Sequence, residues 1–342
     1  MELTGALRRA KTGLVRAAGP LGLYAAAWRM TQRRPRIFMY HRFAAVDTGH
    51  RLGRETFRAQ LRMIRERCSV VTMAELARTL RDAPERAARM AVITVDDGYR
   101  DFYDHAWPVL REESIPATFF PCTGFVDGEV WLWPDLVEQA LARTTNGRVS
   151  TASLGLPGPQ RNWSLADPED NRAVWQALID HAIDLPDADK WAFLRDLHEG
   201  LDLDWPTSVP HDYSPVTWEQ LRAMAKEGVE IGAHTRTHCR LTRVNAAQLD
   251  DELAGAKARI EHELGREVVS LCYPNGAPAD YDPQVMAAAE ASGYRSAVTA
   301  HFDGVQGGLY DLRRHGIGAD MYGFRKSLCG VDELSRRLVG AA

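Results

Sequence analysis

The chain has 342 residues, of which 45% are hydrophobic and 26% charged, with a net charge of −4. That length holds one large domain or two small ones, and the composition is that of a globular protein with a sizeable core. The balance excludes a nucleic-acid binder that works through bulk positive charge. Five widely spaced cysteines with no C-x-x-C exclude a disulfide framework and fit reduced thiols in the cytosol.

Residues 1–36 carry eight basic residues and one acidic one. Leu3, Leu7, Ala10 and Leu14 share one helical face. This suits either peripheral contact of residues 1–34 with an anionic membrane surface or a helix packed on the body of the protein. The longest uncharged apolar run, Ala17 to Trp28, is twelve residues with a Gly-Pro inside. Crossing a bilayer takes roughly 20. Pro20 and the late Arg16 make the run a poor signal peptide. The expectation is therefore a cytoplasmic protein, peripheral at the inner membrane, with an exported form the lesser reading.

Arg36-Ile37-Phe38-Met39-Tyr40 reads as a first buried strand, ending at His41. An amphipathic helix follows over 55–67, a strand over 69–72 and a short helix over 74–81. Ala91-Val92-Ile93-Thr94-Val95 is the next strand, and it ends abruptly in Asp96-Asp97-Gly98. A helix near 101–113 and the strand Ala117-Thr118-Phe119-Phe120 come next. Residues 127–216 break the rhythm with helical pieces near 132–143, 170–183 and 187–199, read as an insertion or lid. Thr217 and Gln220 form a capping box for a helix over 218–227. Then come the strand Val229-Glu230-Ile231, a helix over 246–264, a strand over 268–273, a helix over 283–292, strands over 294–299 and 312–317, and a helix over 331–339. Alternating strands and helices imply parallel βα units, and about seven of them imply a closed or nearly closed barrel. The organisation is a basic segment over 1–35, one barrel domain over 36–330 that contains the insertion, and a C-terminal helix over 331–342.

Burying two adjacent carboxylates costs several kcal/mol unless they are paired or bound to a metal. Strand C-termini in such folds are where enzymes place their chemistry. The bland alternative is an Asp-Asp-Gly turn that caps a helix starting near Tyr99. A second motif, Gly232-Ala233-His234-Thr235-Arg236-Thr237-His238, follows another strand 137 positions after Asp97. A spacing of four puts both imidazoles on one face if the stretch is helical. Two imidazoles and one carboxylate make a common open set for a divalent ion.

Thr94-Val95-Asp96-Asp97-Gly98-Tyr99, Pro116-Ala117-Thr118-Phe119-Phe120, the His234/His238 segment and Tyr273-Pro274-Asn275-Gly276 resemble the signatures of polysaccharide deacetylases, the NodB-homology group or carbohydrate esterase family 4. Met39-Tyr40-His41-Arg42-Phe43 is similar to the opening of a bacterial branch linked to surface-glycan assembly. The resemblance covers roughly 36–125 and 215–330, and it implies a distorted (β/α)7 barrel. It also implies a hydrolase that removes an N-acetyl group from an amino sugar of a bacterial surface glycan or its precursor. Asp97, His234 and His238 would hold a divalent metal, usually Zn2+, with Co2+, Ni2+ or Mn2+ as alternatives. Such an ion lowers the pKa of its water from 15.7 towards about 7 and polarises the acetyl carbonyl. Asp96 would be the general base. The turn at Tyr273, Pro274 and Asn275 would hold the oxyanion. Trp131 and Trp133 in the insertion suit stacking on a sugar face, with core packing the alternative and the expected role of at least one of them.

The chain departs from the family pattern in two places. The arginine expected before the proline of the third motif is missing, and Leu271 and Cys272 stand there. The usual Leu-x-His, whose His is the general acid, is replaced by Leu312-Arg313-Arg314-His315. One place on a strand reverses the face, so Arg314 is expected to point inward and His315 outward. His41 and Arg314 are the candidates for the acid side of the reaction. These departures keep two alternatives open: the same fold acting on another small amide, and a catalytically weak glycan-binding or assembly protein.

Overall fold

The computed structural model describes residues 22–303 and 307–340. Seven short parallel strands organise it. They are β1 (Arg36–Tyr40), β2 (Met90–Val95), β3 (Ala117–Phe119), β4 (Val229–Ile231), β5 (Ser270–Cys272), β6 (Ser296–Val298) and β7 (His315–Gly316). Ladders join β7 to β1, β1 to β2, β2 to β3, β3 to β4, and β5 to β6. Single bridges complete the ring: Ala233 with Leu271 links β4 to β5, and Val298 with Leu312 carries β6 to the segment that becomes β7. An additional strand, Ser69–Val71, pairs alongside β2. The fold is thus the expected α/β barrel, distorted where a ladder shrinks to one bridge.

β2 shows why these segments become strands. Its Ala-Val-Ile-Thr-Val run is buried on both faces, as a parallel strand covered by helices must be. The helices include Arg54–Arg65, Met73–Asp82, Trp218–Lys226 and Pro283–Ala291. The capping box at Thr217 and Gln220 is present. The predicted helix over 246–264 forms in three pieces, with a π-helical turn at Asp251–Gly255.

The 127–216 region holds helices at Trp133–Arg143, Pro168–Asp184 and Asp187–Gly200 and a small antiparallel ribbon, Arg148–Ser150 with Asn162–Ser164. It has its own core, built on Leu136, Val137, Leu178 and Leu194, and Tyr99 from the loop after β2 belongs to that core. Tyr99 donates its hydroxyl to Asp135 at 2.7 Å, and the Arg42 guanidinium lies 3.8 Å from its ring centre. The insertion is therefore anchored to the loop that carries the two aspartates.

The helical face expected over Leu3 to Leu14 lies outside the described residues. The helix Tyr24–Thr31 packs on the body: Ala27 and Trp28 are buried, Arg36 donates to Leu328 O, and Arg34 pairs with Glu333. The boundary expected at residue 35 thus does not separate this stretch from the domain. No helix among the described residues is long and apolar enough to cross a membrane.

Candidate active site

The strand C-termini gather the acids and histidines singled out from the sequence. Asp96 follows β2 directly, and its N–H donates to Tyr40 O, which sets it beside His41 at the end of β1. Asp97 has φ of 77° and Gly98 of 103°. This left-handed pair turns the chain so that the two carboxylates diverge. A side chain at Gly98 would sit 3.2 Å from Pro121.

Asp97 faces both imidazoles. Its Oδ1 lies 3.5 Å from His234 Nε2 and 3.5 Å from His238 Nε2. Ligand atoms about 2.0–2.2 Å from a tetrahedral ion stand roughly 3.3–3.6 Å from one another. The three groups therefore fit a divalent ion with a position to spare. His234 Nδ1 lies 2.9 Å from Cys272 O, the outer bond that fixes a ligating imidazole's orientation. Burial works to raise the Asp97 carboxyl, but hydrogen bonds to the two histidines hold it well below the usual carboxylate range. Burial works to lower His234, yet Cys272 and Asp97 drive it well above its ordinary value, while burial carries His238 below. Ligating imidazoles and carboxylates are deprotonated, so binding a cation here would displace a proton held on His234.

The condition of a helical stretch over 232–238 is not met. The segment is a loop in which Thr235 and His238 take φ of 63° and 57°. A tight turn, not a helix face, brings the two rings to 4.8 Å between centres. Glu252, 1% exposed, holds the loop by accepting the N–H groups of Arg236 and Thr237 at 2.8 and 2.9 Å. Sequence reasoning missed Glu252, because an acid inside an acidic helix turn reads as surface. Gly232 admits the loop to the barrel, since a Cβ there would lie 2.5 Å from the Phe120 ring.

Asp96 is 2% exposed and is gripped by Arg314. Nη1 donates to Oδ1 and Nη2 to Oδ2, each at 2.7 Å. Burial pushes this carboxyl up, and the guanidinium outweighs it and holds it below the usual range. Arg314 was a candidate for the acid side. That reading is corrected: Arg314 is enclosed, fully bonded and driven further up by Asp96, so it has no proton to give. His315 faces the other way, between Phe38 and Phe302. His41 Nε2 stands 3.7 Å from Asp96 Oδ2, with its side chain 43% exposed.

Two further expectations need correction. Trp133, 2% exposed, is part of the insertion core with Lys190 over its ring, so no open face remains for a sugar. Tyr273 is fully buried, stacked on Tyr281, with its hydroxyl on Tyr310 O and its N–H on Val298 O. Its side chain is a wedge between strands, not a substrate contact. Pro274 accepts the Gly276 N–H, and Asn275 has φ of 60°. Asp97, Thr235, His238 and Asn275 are four of the seven non-glycine residues with positive φ among the described residues. Backbone strain of this kind gathers at working sites.

The family model for polysaccharide deacetylase matches residues 83–148 and 201–297, on either side of most of the insertion. These two segments carry the match to a polysaccharide deacetylase domain. Bacillus subtilis (strain 168) YxkH, described as a putative polysaccharide deacetylase, is 21% identical over 304 residues, covering 87% of this chain and 77% of that protein. Among solved structures, the Streptococcus pyogenes deacetylase PplD in complex with acetate is 18% identical, with a TM-score of 0.54 over 85% of this chain and 95% of that one. IcaB from Ammonifex degensii is 16% identical, with a TM-score of 0.53 over 88% and 97%. These likenesses show a shared fold. The matched domain supports a deacetylase of the hydrolase class.

Proposed function

We propose that this deacetylase removes the N-acetyl group from an amino sugar of a bacterial surface glycan or its precursor. The observation that carries the reading is Asp97 Oδ1 placed equally between two imidazole nitrogens, with a second, separately held carboxylate beside it. Asp97, His234 and His238 would hold a divalent ion, Zn2+ by preference for nitrogen and oxygen donors in a small open site. Such an ion, when bound, polarises a water and the acetyl carbonyl.

The other steps belong to the chain. Asp96 accepts the water proton as the new C–O bond forms. Arg314 keeps it ionised and fixed, free to take that proton. In the turn over 273–276, Pro274 has no N–H and those of Tyr273 and Gly276 are bonded. The Asn275 N–H is thus the donor this turn offers to the oxyanion. His41, exposed beside Asp96, protonates the nitrogen as the C–N bond breaks. The products are acetate and a free amine.

A cytoplasmic location with peripheral membrane contact belongs to the same proposal, supported by the basic residues of 1–34. The deciding experiment pairs elemental analysis of the purified protein with acetate release from a panel of N-acetylated glycans. Near-stoichiometric metal with turnover is expected. Glycan binding with neither metal nor acetate release would leave a non-catalytic binding protein.

A further inference from the structure

A cleft of about 420 Å³ opens in the insertion, and the reaction does not use it. Three tryptophans line it: Trp131, Trp191 and Trp205. Trp191 lies on the helix Asp187–Gly200, and Trp205 on the segment that follows. Both are half-buried, packed against the insertion core. Trp131 is 8% exposed, and its indole Nε1 is enclosed with no hydrogen-bond partner among the described residues. A buried indole N–H normally has one. The exposed side chains of Glu129, Arg195, Thr207 and Ser208 add acceptors and donors to the same lining.

The cleft borders the candidate active site on two flanks. Arg236, midway between His234 and His238, pairs with Glu129 at 2.9 Å, and its carbonyl accepts the Gly124 N–H at 2.8 Å. On the other flank, Tyr213 packs edge-on against Trp131 with 6.0 Å between ring centres. Arg42, next to His41, lies 5.4 Å from the Tyr213 ring centre. A chain molecule with one unit at the metal site therefore has the cleft as a neighbour. Trp191 and Arg195 belong to the stretch 149–200 that the family model leaves unmatched, so the insertion completes this cleft.

A concave site of about 300–1,000 Å³, lined by aromatic side chains with a few polar groups, is built for a small molecule or one unit of a larger one. The walls select which. Lys190 stands 5.7 Å from the Trp191 ring centre and Arg195 4.8 Å from that of Trp205. Cations already against these rings oppose an aromatic box for a further cation. Glu129 is paired with Arg236, so the walls do not call for a strong anion either. A neutral sugar ring meets both conditions. Its C–H face lies on an indole, and its hydroxyls bond to the carboxylate, guanidinium and hydroxyl groups at the rim.

We propose that this cleft is an accessory glycan site, which binds a neutral sugar ring of the same chain whose N-acetyl group is hydrolysed at the metal site. It rests on the proposed function for the identity of that glycan. It adds that the substrate is an oligosaccharide or polymer, long enough to reach both places, and not a single sugar unit.

The test uses the full-length protein as wild type and as Trp191→Ala, Trp205→Ala and Arg195→Ala, with a melting temperature for each. Isothermal titration calorimetry follows binding of N-acetylglucosamine, of its β-1,4- and β-1,6-linked pentamers, and of choline. Acetate release and 4-nitrophenyl acetate hydrolysis are measured on the same preparations. Wild type is expected to bind one pentamer at least about tenfold more tightly than the monomer, the order of one aromatic contact. Each tryptophan variant is expected to lose about that factor and to raise KM for the pentamer equally, with kcat unchanged. Hydrolysis of 4-nitrophenyl acetate, too small to span both places, is expected to stay at the wild-type rate. Arg195 is exposed, so Arg195→Ala decides the matter if the tryptophan variants do not fold, and about threefold weaker pentamer binding is expected from it.

A wild type that binds neither pentamer, or binds monomer and pentamers alike, overturns the proposal. So do variants that bind the pentamer as wild type does. A fall in 4-nitrophenyl acetate hydrolysis would make the tryptophans props of the metal loop, and tighter binding of choline than of either pentamer would make the cleft a cation box; each overturns it too. Pentamer binding that the variants lose, in a wild type that releases no acetate, removes the functional reading and keeps the cleft as a glycan site. Acetate release from the pentamer with the same KM in all four proteins removes this proposal alone.

Discussion

His41 Nε2 and Asp96 Oδ2 stand 3.7 Å apart across two neighbouring strands, and the pairing of Tyr40 with Val95 in the β1–β2 ladder sets that juxtaposition. One residue beyond that pair, each strand releases a polar side chain into the same opening. The imidazole is exposed and the carboxylate is not, so the two can divide the proton traffic: Asp96 beside the attacking water, His41 nearer the solvent-facing leaving group.

That division predicts different losses on different substrates. His41→Ala should lower kcat for acetamide hydrolysis by about 10²–10⁴-fold, the usual worth of a positioned acid. Hydrolysis of 4-nitrophenyl acetate should fall much less, because nitrophenolate leaves unprotonated. Steady-state kinetics on the two probes check this. Equal losses on both would move His41 from the acid role to the water side.

Asp96→Asn should abolish acetate release and leave bound metal unchanged, since the ion's three protein donors are Asp97, His234 and His238. It also leaves Arg314 buried against a neutral amide. Removing one partner of a buried pair costs about 3–5 kcal/mol, so the melting temperature should fall as well. Metal analysis, acetate release and thermal melts on one preparation separate these effects. A fully active Asp96→Asn protein would end its assignment as base.

The sequence made the strand ends legible, because hydrophobic runs that stop in Asp96-Asp97-Gly98 or before His234 mark themselves locally. It did not reveal how His234 and His238 converge. Their spacing of four suggested a helix, whereas the chain uses left-handed residues at Thr235 and His238, and the acid that holds the turn, Glu252, lies fourteen positions beyond His238. Arg314 was seen to point inward, but its partner is 218 positions away, and no local pattern shows which carboxylate it meets. Trp133 illustrates the opposite error. An aromatic in an insertion resembles a sugar platform until the helices Pro168–Asp184 and Asp187–Gly200 are seen to share its core.

Adding a divalent ion should stabilise the protein. A ligand at 100 times its Kd contributes about 2.7 kcal/mol to the folded state. Metal-stripped wild type titrated with Zn2+ or Co2+ should therefore melt higher. His238→Ala should show little of this rise, because one of three donors is gone. The check is the difference in melting temperature with and without the ion for each protein. Equal rises in both would place the ion elsewhere.

The last prediction concerns the joint between the insertion and the aspartate loop. Burial pushes the Asp135 carboxyl up to about 7, although the Tyr99 hydroxyl bonded to it and the Arg42 charge nearby pull it down. In an unfolded chain an aspartate titrates near 3.9. The folded state thus holds this proton more tightly. The resulting stabilisation is fully present below about pH 4, and it is lost as pH rises towards 7. Three pH units correspond to at most about 4 kcal/mol. Asp135→Asn keeps a neutral acceptor for the Tyr99 hydroxyl and removes the titration. Relative to wild type, the Asn variant should therefore gain stability between pH 4 and 8. Urea midpoints of the two proteins across that range measure the effect, and a constant difference would show that Asp135 does not titrate there. Tyr99 stands two residues beyond Asp97, so the same loss in wild type should loosen the insertion's hold on the catalytic loop above neutral pH. Faster amide exchange at 97–101 in wild type than in Asp135→Asn at pH 8, and equal exchange at pH 5, is the expected signature.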